Sequence, residues 1–131
     1  MHASIRLAPV PESAARARAF VERTLRRWGC RAFIEEARVV VTELASNAVR
    51  HAGTDVCIEV ELLDDRLRIA VADHAEGELV LRTVDPRDLG GRGLQLVDEL
   101  SERWGVDRHP GEKSVWAEWR VAVPAGGGAP A

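Results

Sequence analysis

Three small constellations in this sequence bring together side chains able to do chemistry. Glu43 and Asn47 are four residues apart and His51 follows at the same interval, so on a helix the three share one face. A carboxylate there can polarise a hydroxyl or a water as a general base. A carboxamide oxygen is a hard ligand suited to magnesium, the ion that accompanies nucleotide phosphates. The same pair also fits a solvated helical face with no further role, and spacing alone does not separate the two readings. Asp73 continues a run in which Leu67, Ile69 and Val71 alternate with Arg66, Arg68 and Ala70, so its carboxylate falls on the apolar side. It therefore needs donors: the exocyclic amine of a ligand such as adenine, or the backbone amides of the loop that follows. Finally, Gly90, Gly91, Arg92 and Gly93 stand immediately before a helical pattern. Amides at a helix start can hold phosphate oxygens, and Arg92 adds a bidentate donor. The run is neither a Walker A sequence nor a dinucleotide fingerprint, and a flexible loop entering a helix has the same composition.

The elements that must position these residues follow from periodicity. Ser4 to Ala8 alternates as a short edge strand, which Pro9 and Pro11 end. A helix follows from Glu12 or Ser13 to Gly29, with Ala17, Phe20, Val21, Leu25 and Trp28 on its apolar stripe. A second runs from about Ala32 to Ala52, carries Ile34, Ala37, Val41, Leu44 and Ala48 on one stripe, and is stopped by Gly53. Val56 to Leu62 and Arg66 to Val71 alternate as two strands joined by a turn at Asp64 and Asp65. From His74 to Leu89 the periodicity is lost, and a loop of that length is characteristic of a lid or a binding segment. Leu94 to Arg103 then reads as a helix buried through Leu94, Val97 and Leu100. Trp104 to Arg108 and Ser114 to Val123 form a closing hairpin, and Pro124 ends a single domain over residues 1–124. The tail from Ala125 to Ala131 is too rich in Gly, Ala and Pro to hold a fixed structure.

Composition sets the frame. The 131 residues suit one hydrophobic core, with 46% hydrophobic and 30% charged residues. No stretch has the length and apolarity to span a bilayer, and the N-terminus lacks the apolar core of a secretory signal, so the expected location is the cytoplasm. Cys30 and Cys57 are isolated and read as structural thiols. The net charge of −3 argues against direct nucleic-acid binding. The basic run Arg16, Arg18, Arg23, Arg26, Arg27 and Arg31 reads as a solvated helix face, or as a surface for an acidic partner.

The order of the constellations is more specific than any one of them. TELASNAVRHAG (Thr42 to Gly53), VADHAEG (Val71 to Gly77) and GGRGLQLVDEL (Gly90 to Leu100) resemble the N, G1 and G2 boxes of GHKL ATPases, and the match spans nearly the whole chain. SVWAEW (Ser114 to Trp119) resembles the final strand of the small anti-sigma serine kinases. The resemblance implies an α/β (α+β) two-layer sandwich, with a mixed, mainly antiparallel sheet covered on one face by three helices. It implies ATP and magnesium as ligands, with Glu43 as catalytic base and Asn47 as magnesium ligand. Asp73 would bind adenine, with Ser114 supporting its pocket, and Arg50 and His51 would approach the phosphates. Gly77, Gly90, Gly91, Arg92, Gly93 and Leu94 would belong to the phosphate side, and the segment from His74 to Leu89 would be the ATP lid. Ala75 departs from the family pattern, which commonly has glycine there; its methyl group would press on the base or shift the loop, which implies weakened affinity.

The implied function is an ATP-dependent serine protein kinase acting as an anti-sigma factor on a STAS-type anti-anti-sigma partner. A non-catalytic, nucleotide-dependent interaction module is the alternative. Trp116 and Trp119 fall on opposite faces of one strand, so one of them is available to an interface, a homodimer's included, or to the core edge.

Overall fold

The computed structural model describes residues 1–74 and 92–121, the side chains of Ala52, Arg92 and Gly93 excepted. In chain order the elements are β1 (His2–Leu7), α1 (Glu12–Arg27), α2 (Ile34–Ala52), β2 (Val56–Leu63), β3 (Arg66–Asp73), α3 (Arg92–Leu100), β4 (Arg103–His109) and β5 (Glu112–Arg120). The strands form one five-stranded sheet in the order β1-β2-β3-β5-β4, and every pairing among the described residues is antiparallel. With three helices on one face this is the expected two-layer α+β sandwich.

Each boundary has a local cause. Pro11 stands at the N-cap of α1, where its missing N–H is no loss, and the Ser13 hydroxyl donates to the carbonyl of Ala8 at 2.6 Å, tying the helix start to the end of β1. The helix ends at Arg27, and Gly29 takes the left-handed conformation at φ 75° that starts the turn toward α2. Gly53 does the same for α2 at φ 70°. The β2–β3 turn places Asp64 at φ 55°, which a short polar side chain tolerates. The third helix begins earlier than its apolar stripe predicts, at Arg92, and stops earlier, at Leu100. Its end is fixed by Trp119, whose indole N–H donates to the Leu100 carbonyl at 2.7 Å, after which Glu102 N–H pairs with Glu118 and the chain enters β4. The last strand runs Glu112–Arg120, starting and ending earlier than expected, and the expected tail from Ala125 to Ala131 lies outside the described residues.

The core lies between the layers. Ala17, Val21 and Leu25 of α1 and Ile34, Ala37, Val41, Leu44 and Ala48 of α2 meet the inward residues of the sheet, among them Ile58, Val60, Leu67, Ile69, Val71 and Trp119. Leu94 and Val97 bring α3 into the same core. Phe20 and Trp28, expected on the stripe of α1, are partly buried at its border. Burial of this contiguous set is the main driving force, worth ~2 kcal/mol per large apolar side chain.

Among the described residues the opposite face of the sheet has no helical cover, and apart from Trp116 its central residues are polar or small. Glu118 is buried there and accepts from Arg66 at 3.3 Å and Arg68 at 2.9 Å, with Arg103 at 3.8 Å. Arg68 also lies over the Trp116 ring at 4.2 Å from its centroid. Trp116 and Trp119 therefore do occupy opposite faces, and Trp116 is occupied by the sheet's own arginines. Both cysteines are reduced, and burial pushes each thiol above its ordinary value, as expected of structural thiols. Among the described residues no helix is long and apolar enough to cross a membrane.

Candidate functional site

The second helix and the end of β3 build the centre of the site. Asn47 sits where α2 turns from the core toward solvent and is 5% exposed, while Asp73, the last residue of β3, is 2% exposed. The alternation that aims Asp73 inward is thus realised, because its register continues that of Val71, Ile69 and Leu67. The two residues line one narrow crevice, with a free volume of about 10 Å³, together with Leu44 and Ala48 of α2, Val71 of β3, and Lys113 and Val115 of β5. Apolar walls with a few polar groups have the chemistry of a heterocycle site, and the crevice must widen to admit a ring.

Asn47 carries the clearest sign of an unmet partner. Its Nδ2 is buried with no hydrogen-bond partner among the described residues, and its Oδ1 accepts from the guanidinium of Arg50, three residues on. A carboxamide oxygen is a hard donor able to ligate magnesium, and Arg50 and such a cation would compete for it. Among the described residues no group of three or more His, Cys, Asp or Glu side chains is placed to hold a metal, so a cation at Asn47 would draw its remaining ligands from phosphate oxygens and water.

Glu43 lies one turn before Asn47 but opens elsewhere. It is half-buried and lines an open groove of about 370 Å³ with Arg18 of α1 and Glu35, Arg38, Val39 and Thr42 of α2. Arg18 donates to the Thr42 hydroxyl at 3.2 Å, and Thr42 donates in turn to the Arg38 carbonyl at 2.7 Å. Arg38 donates from Nη1 to Glu35 at 3.5 Å and lies 3.4 Å from Glu22, although its Nε–H has no hydrogen-bond partner among the described residues. The basic face of α1 is thereby tied in part to its neighbours, Arg26 to Glu22 included.

The remaining expected residues are distributed as follows. Arg50 and His51 are exposed in the last turn of α2. Arg92 and Gly93 open α3, confirming that a helix starts at the glycine run, while Leu94 is 1% exposed and packs in the core, leaving its backbone amide as its only means of touching a ligand. Gly77, Gly90 and Gly91, Ala75 and the expected lid beyond His74 lie outside the described residues. His74 itself is exposed, and its amide donates to the Thr54 hydroxyl at 3.1 Å.

Ser114 is not brought into the crevice. It pairs with Ala72, one residue out of step with Asp73, so its side chain projects from the uncovered face of the sheet, into a groove shared with Arg68, Ala70, Asp107 and Glu112. The residues of β5 that share the face of Asp73 are Lys113, directly across from it, and Val115. Sequence reasoning missed both. Counting alternation back from the core residue Trp119 would have found them, since 119, 117, 115 and 113 share a face.

Comparison with known proteins agrees with this architecture. Residues 7–119 match the histidine kinase-like ATPase domain. The chain is 29% identical over 96 residues to the serine-protein kinase RsbW of Staphylococcus aureus, covering 60% of each chain. It is 30% identical over 95 residues to RsbW of Bacillus subtilis, covering 60% of this chain and 59% of that one. The matched segment thus spans about three fifths of these relatives. The crystal structure of the RsbU and RsbW domains of a Mycobacterium tuberculosis protein superposes with a TM-score of 0.70 at 18% identity, over 95% of this chain and 33% of that one, which speaks for the fold. With the match extending from the end of β1 to the end of β5, the chain belongs to the histidine kinase-like ATPase domain family.

Proposed function

We propose that this protein is an ATP-dependent serine protein kinase that acts as an anti-sigma factor and phosphorylates a STAS-type anti-anti-sigma partner in the cytoplasm. The observation that carries this reading is the division of labour along α2: Asn47 lines one narrow crevice with Asp73, while Glu43, one turn away, lines an open groove. The likeness to two serine-protein kinases supports it.

In this reading the adenine amine donates to Asp73 between Leu44, Ala48, Val71 and Val115, and Asn47 would hold magnesium once Arg50 moves aside. The start of α3 and Arg50 would face the phosphates. Magnesium, when bound, neutralises charge on the phosphates. Glu43 accepts the proton of the partner's serine hydroxyl as that oxygen bonds to the γ-phosphorus and the bond to ADP breaks. The groove around Glu43 leaves room for a polypeptide to bring that serine in. Most of the acceleration would come from positioning, as in phosphoryl transfer generally. Residues 1–124 would act as one domain.

The test joins two measurements. Calorimetry with ATP and magnesium should show binding by the parent, weakened at least about tenfold by Asp73→Asn, as expected when a charged acceptor is lost. Phosphoryl transfer to a STAS-type protein should fall about 10²-fold or more in Glu43→Gln, with ATP binding retained, as for the loss of a general base. Unchanged transfer would remove Glu43 from the role. A second reading, a nucleotide-dependent interaction module without transfer, is favoured by the contact between Arg50 and Asn47, which occupies the oxygen that magnesium would need. It would be established by a partner that binds only with ATP and never becomes phosphorylated.

A further inference from the structure

The crevice that holds Asp73 carries a second charged group of opposite sign. Lys113 is the direct cross-strand partner of Asp73, so the two side chains leave the same face of the sheet, and both line the crevice. Directly opposed residues in an antiparallel pair have their Cβ atoms about 5 Å apart, comparable to the width of a purine's Watson–Crick edge. Lys113 is also the chain's only lysine, in a sequence that otherwise uses arginine for every cation other than histidine. An ammonium on a four-carbon stem turns its three donors freely and can withdraw to solvent, which a planar guanidinium cannot do as readily.

We propose that Lys113 is a base-reading residue that lets this crevice accept 6-oxopurine nucleotides such as GTP beside adenine nucleotides; the proposal rests on the nucleotide-site reading above. Adenine offers an amine at C6, and the Asp73 carboxylate alone satisfies it. Guanine offers an acceptor, O6, at that place and donors at N1 and the 2-amine. A carboxylate facing O6 repels it, but a carboxylate beside an ammonium accepts from N1 and the 2-amine while the ammonium donates to O6. The apolar walls Leu44, Ala48, Val71 and Val115 present no polar group that would distinguish the two bases, and Asn47, the other polar residue of the crevice, is assigned to magnesium in the reading above. Among the described residues selection therefore falls on the Asp73 and Lys113 pair.

The experiment titrates the full chain, in magnesium, with ATP and with GTP, alongside Lys113→Met and Asp73→Asn. The parent should bind GTP within about tenfold of ATP, and Lys113→Met should weaken GTP by at least about tenfold while changing ATP less than about threefold, as expected for a charge-assisted hydrogen bond made to one base only. Asp73→Asn should weaken both. A parent that binds ATP but discriminates against GTP by more than about a hundredfold overturns the proposal, as does a Lys113→Met variant that weakens both nucleotides equally. Both results leave the ATP site standing. Absence of ATP binding by the parent overturns the nucleotide-site reading itself, and the role of Lys113 with it.

Discussion

At the scale of single residues, Asn47 is the place where stability and function conflict. A buried carboxamide nitrogen without a partner costs ~1–3 kcal/mol, and Leu44, Ala48, Val71 and Val115, which line its crevice beside Asp73 and Lys113, are apolar. Asn47→Leu, branched alike though larger, should therefore raise stability by about 1 kcal/mol, the relief of the orphaned amide exceeding the crowding, read as a higher urea midpoint with unchanged slope. The same substitution should abolish the magnesium dependence of ATP binding. A loss of stability would show that the amide is satisfied in solution and that its orphaned state is no mark of a ligand site. Glu43 differs in kind. It is half-buried at a groove and is not itself a strained or orphaned group, so its replacement by Gln should leave the urea midpoint within about 0.5 kcal/mol of the parent while removing transfer. These opposite signatures separate a ligand-holding residue from a proton-accepting one.

At the scale of elements, Gly105 within β4 and Gly53 at the end of α2 show that two glycines can be required for different reasons. A Cβ at Gly105 would stand 2.6 Å from Cζ2 of Trp116, so Gly105→Ala must displace the indole from beneath Arg68 and Arg103. The expected cost is about 1–3 kcal/mol with a changed near-ultraviolet signal from the tryptophan. At Gly53 nothing lies within 4 Å of an added Cβ, and only its φ of 70° resists, so Gly53→Ala should cost ~1 kcal/mol and leave the tryptophan signal alone. If both variants lose stability alike with no spectroscopic change, the indole does not pack on Gly105 in solution. The elements themselves were legible in the sequence wherever a stripe or an alternation was long: α1, α2, β2 and β3 fall within a few residues of their expected bounds. The buried orientation of Asp73 was legible for the same reason, being the parity of one unbroken strand. The face taken by Ser114 follows from the same parity counted back from Trp119, whereas the residue it opposes, Ala72, depends on the register between β5 and β3, which no local pattern states. Lys113 escaped notice for the complementary reason: an isolated cation reads as surface until the strand opposite it is known.

At the scale of the whole molecule, the distribution of titrating groups makes the alkaline limb of stability unusually simple to assign. Cys30 is buried in the core behind the end of α1, and Cys57 lies on the uncovered face of the sheet beside Glu59. Burial pushes both thiols above their ordinary value of 9.0, and the carboxylate of Glu59 raises that of Cys57 further. Unfolding returns both to the ordinary value. Below it both states hold the thiol protons and nothing is lost; above it the unfolded chain releases protons that the folded chain retains, so stability falls as pH rises through the interval up to the folded values. The chain has no tyrosine and a single lysine, so few other side chains change charge in that interval. The urea midpoint should therefore hold steady between pH 7 and about 8, then decline from about pH 9 upward, and the combined Cys30→Ala and Cys57→Ser variant should flatten that decline even though it starts from lower stability. The comparison is one of slopes, so the loss of packing at Cys30, which is independent of pH, does not obscure it. An unchanged slope in the double variant would assign the alkaline loss away from the two thiols.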